Sequence, residues 1–212
     1  MKKIFLIITI IAAFFSIACK TTDENETIQN VSEKNPIIVN EENKTITIFA
    51  RVNKKYTEES TRHAIIFKDG KFGDKSLYKS YANHMDVLNA LKKLGAKAGN
   101  NMTLENASET HVEGDIINFT VTLKDKEPMD MSDTIIDSNG NEIEFHFGGN
   151  EQNAEEKNTG CIACLDSCPV GLISNTTYTY GAVENTKDVE FRGDKEILTK
   201  DNEAVAITIY VP

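Results

Sequence analysis

The chain has no tryptophan and only four prolines, four cysteines and four histidines in 212 residues. Several enzyme signatures are missing as well. There is no Gly-x-Ser-x-Gly, no His-Glu-x-x-His and no EF-hand loop, so hydrolase readings have nothing specific behind them. Positive charge is scarce: 23 Lys and Arg stand against 33 Asp and Glu, a net charge of −10. That balance excludes a nucleic-acid binder of the usual electrostatic kind. It also argues against broad adhesion to an anionic membrane surface. No internal repeat is visible, and no low-complexity block beyond one polar segment near the start.

The N-terminus sets the expected compartment. Lys2 and Lys3 precede an apolar stretch over residues 4–17, followed by Ala18-Cys19. A positive start, an apolar run and small residues before a cleavage point read as a secretory signal over residues 1–18. The run is too short for a convincing membrane-spanning helix. A cysteine directly after Ser16-Ile17-Ala18 resembles a bacterial lipobox, with Ser16 where leucine is usual. On that resemblance Cys19 is the lipidated first residue of an exported protein anchored in the cell envelope. Ordinary cleavage near Ala18, with Cys19 a free thiol, is the alternative. Without Lys2 and Lys3, 21 basic residues face 33 acidic ones, near −12. Residues 19–36 are polar and acidic and read as a disordered tether spanning roughly 20–25 Å. Residues 37–212 suit one domain.

Within that domain, Thr45 to Val52 alternates with period two, as a half-buried strand does. Residues 62–68, 116–124, 176–182, 189–192 and 204–211 read as further strands. Asn139-Gly140, flanked by residues 134–137 and 142–147, predicts a tight hairpin. One helix is clear: Asn83 caps it with Asp86 three residues on, Val87, Leu88, Leu91 and Leu94 share a face, and Gly95 ends it. Many short strands and one clear helix predict a β-rich α+β fold, a sandwich or a half-open barrel.

Three of the four cysteines fall in Gly160-Cys161-Ile162-Ala163-Cys164-Leu165-Asp166-Ser167-Cys168-Pro169. The spacing C-x2-C-x3-C-P is the last three quarters of the bacterial ferredoxin run. It follows a polar stretch, residues 148–159, and is expected on a long connection between strands, near 158–171. Cysteines this close hold a soft metal, exchange disulfides or staple a loop. An iron–sulfur cluster needs a fourth ligand, and the place of the first ferredoxin cysteine is taken by Asn158. The signal lacks twin arginines, so it does not resemble a route for exporting a preloaded protein. A single zinc or Cu(I) ion needs fewer donors: two or three thiolates with one imidazole. His111 and His146 are candidate further ligands to Cys161, Cys164 and Cys168. Thiol chemistry is the third reading, because three cysteines leave one thiol free beside any disulfide.

Leu94-Gly95-Ala96-Lys97, Asn101-Met102-Thr103-Leu104-Glu105-Asn106, Thr110-His111-Val112-Glu113-Gly114, Phe147-Gly148-Gly149-Asn150 and the stretch from Cys161 to Glu184 resemble the YdjY-like family of exported bacterial proteins. The resemblance implies an exported single domain. The ferredoxin-like label that members carry follows the cysteine run and fixes no reaction. The expectation is therefore an exported lipoprotein with a three-cysteine redox or metal site, its partners the membrane through the lipid and a redox protein. The alternative is a binding or scaffold lipoprotein whose cysteines form a structural disulfide.

Overall fold

The computed structural model describes residues 26–212. The expected signal, Cys19 and the first residues of the expected tether lie outside them. Among the described residues no helix is long and apolar enough to cross a membrane.

Twelve strands and three helices follow in the order β1 (Ile37–Asn40), β2 (Thr45–Val52), α1 (Lys55–Glu58), β3 (His63–Phe67), β4 (Tyr78–Ser80), α2 (His84–Lys93), β5 (Asn118–Leu123), β6 (Met129–Asp130), β7 (Ile135–Asp137), β8 (Phe145–Phe147), α3 (Glu151–Lys157), β9 (Cys161–Cys164), β10 (Ile173–Asn175), β11 (Phe191–Gly193) and β12 (Ala204–Tyr210). Ten strands form one sheet in the order β6-β5-β12-β2-β4-β3-β9-β10-β8, with β1 also on β2. The remaining two, β7 and β11, pair separately. The large sheet curls until its ends approach. Ile116, just before β5, bridges to His146 in β8, and Ile117 N–H donates to the Phe145 carbonyl at 2.9 Å. The result is a half-closed barrel, mostly β.

Strands β2, β5 and β12 form where β-branched residues alternate. Ile46 and Ile48 of β2, Phe119 and Val121 of β5, and Ile207 and Ile209 of β12 all enter the main core. Helix α2 adds Val87, Leu88, Leu91 and Leu94 to the same core. Its start is fixed by Asn83, whose side chain accepts from Met85 N–H at 2.8 Å, a cap worth about 1 kcal/mol. Its end is fixed by Gly95 at φ +92°.

Several expectations are corrected. Asn139-Gly140 is a tight turn, with Gly140 at φ +71°, but it joins no hairpin. The strand before it, β7, pairs with β11, and the strand after it, β8, pairs with β10. The turn therefore passes the chain from one sheet to the other. Residues 176–182 are not a strand, because their backbone bonds go singly to scattered partners: Thr176 N to Glu144 O, Tyr180 N to Ala107 O. The polar stretch over residues 148–159 contains the short helix α3, while α2, the one helix clear in the sequence, is the longest among the described residues. The expected tether is packed on the domain from Glu26 onward. Ile28 and Val31 pair with each other and bury against Phe49, Ala204 and Ala206. These two apolar residues, with Glu33 paired to Arg51 and Gln29 bonded to Thr122, seat this strap on the sheet's outer face.

Candidate metal centre

Cys161 and Cys164 lie on β9, a central strand between β3 and β10, and not on a connection. In a regular strand residues three apart face opposite ways. Here they face the same way, because the β3–β9 pairing shifts register twice. His63 stands opposite Cys164, Ile65 opposite Ala163, and Ile66 opposite Cys161. Ala64 is the extra residue on β3 and Ile162 the extra residue on β9. Each inverts the alternation of its strand. Ala64, Ile65, Ile162 and Ala163 therefore turn into the main core, while Ile66, Cys161, Cys164 and Cys168 form a separate outer cluster with Phe72, Val170 and Tyr180 around it.

His63 joins the cysteines on that outer side. Its Nδ1 lies 3.7 Å from Cys161 Sγ and 3.8 Å from Cys164 Sγ. The three donor atoms lie within 4.8 Å of one another, and all three residues are buried. One tetrahedral zinc-like ion, with sulfur at about 2.3 Å and nitrogen at about 2.0 Å, separates such donors by about 3.6 Å. The observed separations match that edge. Thiolates on different irons of a cluster stand farther apart than this, so the spacing favours one ion.

Cys168, on the loop after β9, packs in the same cluster but lies outside the group of three converging donors. Asn150, at the start of α3, donates from Nδ2 to the carbonyls of Cys168 and Gly171, both at 2.9 Å. Asn153 donates to the Pro169 carbonyl. Gly171 N–H points at Cys168 Sγ at 3.3 Å. Gly171 is required by space: a Cβ there would stand 2.8 Å from Cys164 Sγ and 3.5 Å from Cys168 Cβ. Ser174, directly opposite Cys164 on β10, faces the same side. Its hydroxyl is fully buried and has no hydrogen-bond partner among the described residues. A buried unpaired hydroxyl costs free energy unless something else meets it, and its position beside Cys164 suits a ligand held among these donors.

The thiols influence one another. Hydrogen bonding from Cys164 holds the Cys161 thiol well below its ordinary range, against burial and with help from His63. Cys164 is pushed well up by those hydrogen bonds to Cys161 and Cys168, and by burial. Cys168 is lowered, again by Cys164 and then by the charge of Arg62, with burial opposing. A metal ion held among these sulfurs would displace thiol protons, because only the thiolate is a good ligand.

A buried ion pair ties the parts together. Arg62, next to His63, donates from Nε and Nη2 to Asp166 Oδ1 at 3.0 and 2.6 Å. Asp166 Oδ2 accepts from Gly181 N–H, and the guanidinium lies 4.1 Å from the Tyr180 ring centroid. Burial works against the Arg62 charge, but Asp166, Cys168 and Cys164 outweigh it. Burial likewise pushes the Asp166 carboxyl up, against the pull of Arg62. The pair locks the histidine strand to the turn between Cys164 and Cys168.

His111 and His146 are placed elsewhere. His111 Nδ1 bonds the Thr176 carbonyl. His146 Nδ1 bonds the Gly114 carbonyl at 3.0 Å, and its Nε2 meets Glu144 at 2.7 Å. Both line a surface groove with Glu113 and Glu144. The histidine that does meet the cysteines, His63, was not singled out by sequence. The one available signal was Arg62-His63 opening an otherwise apolar strand.

Residues 37–210 match the YdjY domain. The chain belongs to the YdjY family. It is 42% identical over 182 residues to "Uncharacterized protein YdjY" of Escherichia coli (strain K12), covering 85% of this chain and 81% of that protein. No solved structure matches it. For this YdjY-family chain the cysteine face must therefore be read from its own geometry.

Proposed function

We propose that this YdjY-family protein is an exported, lipid-anchored protein that holds one soft metal ion at Cys161, Cys164 and His63, with Cys168 as the fourth donor, and serves redox or metal handling outside the cytoplasm. The observation that carries the reading is the convergence of three donors within 4.8 Å, from strands 98 residues apart in sequence. Three thiolates and an imidazole suit zinc in a tetrahedral site, while the three closest donors suit Cu(I) in a trigonal one. Export and the lipid at Cys19 rest on the sequence before residue 26.

Protein purified under oxygen protection tests the site. Metal analysis is expected to give one ion per chain. Cys164→Ser and His63→Ala are each expected to lower occupancy at least tenfold, since each removes one of the three closest donors. A metal-free protein with a stable disulfide between two of the three cysteines would leave only the structural reading. A metal-free protein whose disulfide is readily reduced and re-formed would point to thiol exchange.

A further inference from the structure

Cys164 is the middle sulfur of the thiol cluster. It converges with Cys161 and His63 in the donor group, and it also hydrogen-bonds Cys168. A Cβ placed on Gly171 would meet Cys164 Sγ at 2.8 Å and Cys168 Cβ at 3.5 Å. The two cysteines therefore border one small space, and a glycine keeps it open.

Of the three ways to join two of these cysteines, the fold favours one. Cys161 and Cys164 belong to a single strand, held to β3 at both cysteines and to β10 at Cys164. Residues three apart in an extended strand have Cα atoms about 10 Å apart. A disulfide needs Cα atoms about 4.4–6.8 Å apart. The bulge at Ile162 turns both sulfurs to one side but leaves the strand paired, so they can share an ion more easily than a bond. Cys161 and Cys168 are joined through Cys164, which each of them hydrogen-bonds. Cys164 and Cys168 face no such obstacle. The chain leaves β9 at Cys164, bends at Leu165 and Asp166, and returns Cys168 to the cluster. Cys168 is on a loop, so its side chain can turn toward Cys164 without unpairing the sheet.

We propose that hydrogen peroxide joins Cys164 to Cys168 and thereby empties the metal site, which is filled in the reduced chain and released in the oxidised one. The proposal rests on the metal reading above. Cys168 is the sulfur attacked first. It is the least buried, 4% exposed against 2% for Cys161 and 0% for Cys164, and it lies outside the three converging donors. Its thiolate attacks one peroxide oxygen, the O–O bond breaks, hydroxide leaves, and Cys168 becomes a sulfenic acid. The Cys164 thiolate then attacks the Cys168 sulfur. The S–S bond forms, the S–O bond breaks, and a second hydroxide leaves. Two protons from solvent turn both hydroxides into water. The cysteine pair has lost two electrons and peroxide has gained them. Cys161 and His63 are then the only donors left of the proposed four, too few for a tetrahedral site.

The test uses the full chain, purified under oxygen protection, loaded with one equivalent of zinc and given hydrogen peroxide. Zinc release is followed with a chromogenic chelator, and disulfides are mapped by mass spectrometry after alkylation. One zinc is expected to leave for each disulfide formed, the disulfide is expected to be Cys164–Cys168, and a dithiol reductant is expected to restore zinc uptake. In Cys168→Ala, compared at equal starting occupancy, release by peroxide is expected to slow at least tenfold. A disulfide mapped to Cys161–Cys164, or release from Cys168→Ala at the wild-type rate, overturns the proposal. If that variant holds no zinc, the map of the wild-type chain decides alone. Failure of the metal reading shows separately, as a reduced wild-type chain that takes up no zinc before peroxide is added. The same map of that chain then decides the pairing.

Discussion

Ser174 carries a fully buried hydroxyl with no hydrogen-bond partner among the described residues, beside Cys164. Leaving such a group unpaired costs about 1–3 kcal/mol. If its partner is a ligand held by the thiols, removal has opposite effects with and without the ion. Ser174→Ala is predicted to raise the stability of the metal-stripped protein, or leave it unchanged, by denaturant titration. The same variant is predicted to bind metal several-fold more weakly in competition with a chelator. Destabilisation of the stripped protein by more than 1 kcal/mol would instead mark the hydroxyl as a packing element. Nothing in the local sequence Ile173-Ser174-Asn175 flags this residue. Its importance comes only from the register that sets it opposite Cys164.

At the scale of elements, two bulges and one loop decide the site. The elements themselves were largely legible. Period-two alternation gave β2, β5 and β12, and the Asn83 cap with its apolar face gave α2. Register was not legible. The Asn139-Gly140 signal is local and describes the turn correctly, but strand partners are chosen by long-range burial. The cysteine run was expected on a connection because it follows the polar stretch over residues 148–159. In fact Ile162 and Ala163 bury in the core and pull the run into a strand. His63 stayed hidden because its partners lie 98 and 101 residues away. The loop after β9 can be tested alone. Asn150 supplies two hydrogen bonds that fix the carbonyls of Cys168 and Gly171. Asn150→Ala leaves both carbonyls unpaired in a buried place, and is predicted to cost roughly 2–4 kcal/mol. It should also raise the alkylation rate of Cys168 well above that of Cys161, read by mass spectrometry. Equal rates in wild type and variant would show that the loop is held by other means.

The described residues form a half-closed barrel with its apolar core inside and three small apolar clusters beside it. One seats the strap and another carries the thiols. The sequence showed the strap's polarity but not that Ile28 and Val31 anchor it, because two apolar residues in an acidic stretch make no period. The thiol cluster joins strands β3 and β9 with a loop held by α3, so it assembles only in the folded chain. The most direct test of this account is X-ray absorption at the metal edge on protein purified under oxygen protection. The account predicts one ion per chain with sulfur neighbours at about 2.3 Å, one imidazole nitrogen at about 2.0 Å and no second metal nearby, the nitrogen being lost in His63→Ala. A metal–metal distance in the spectrum, or a nitrogen that survives in His63→Ala, would contradict it.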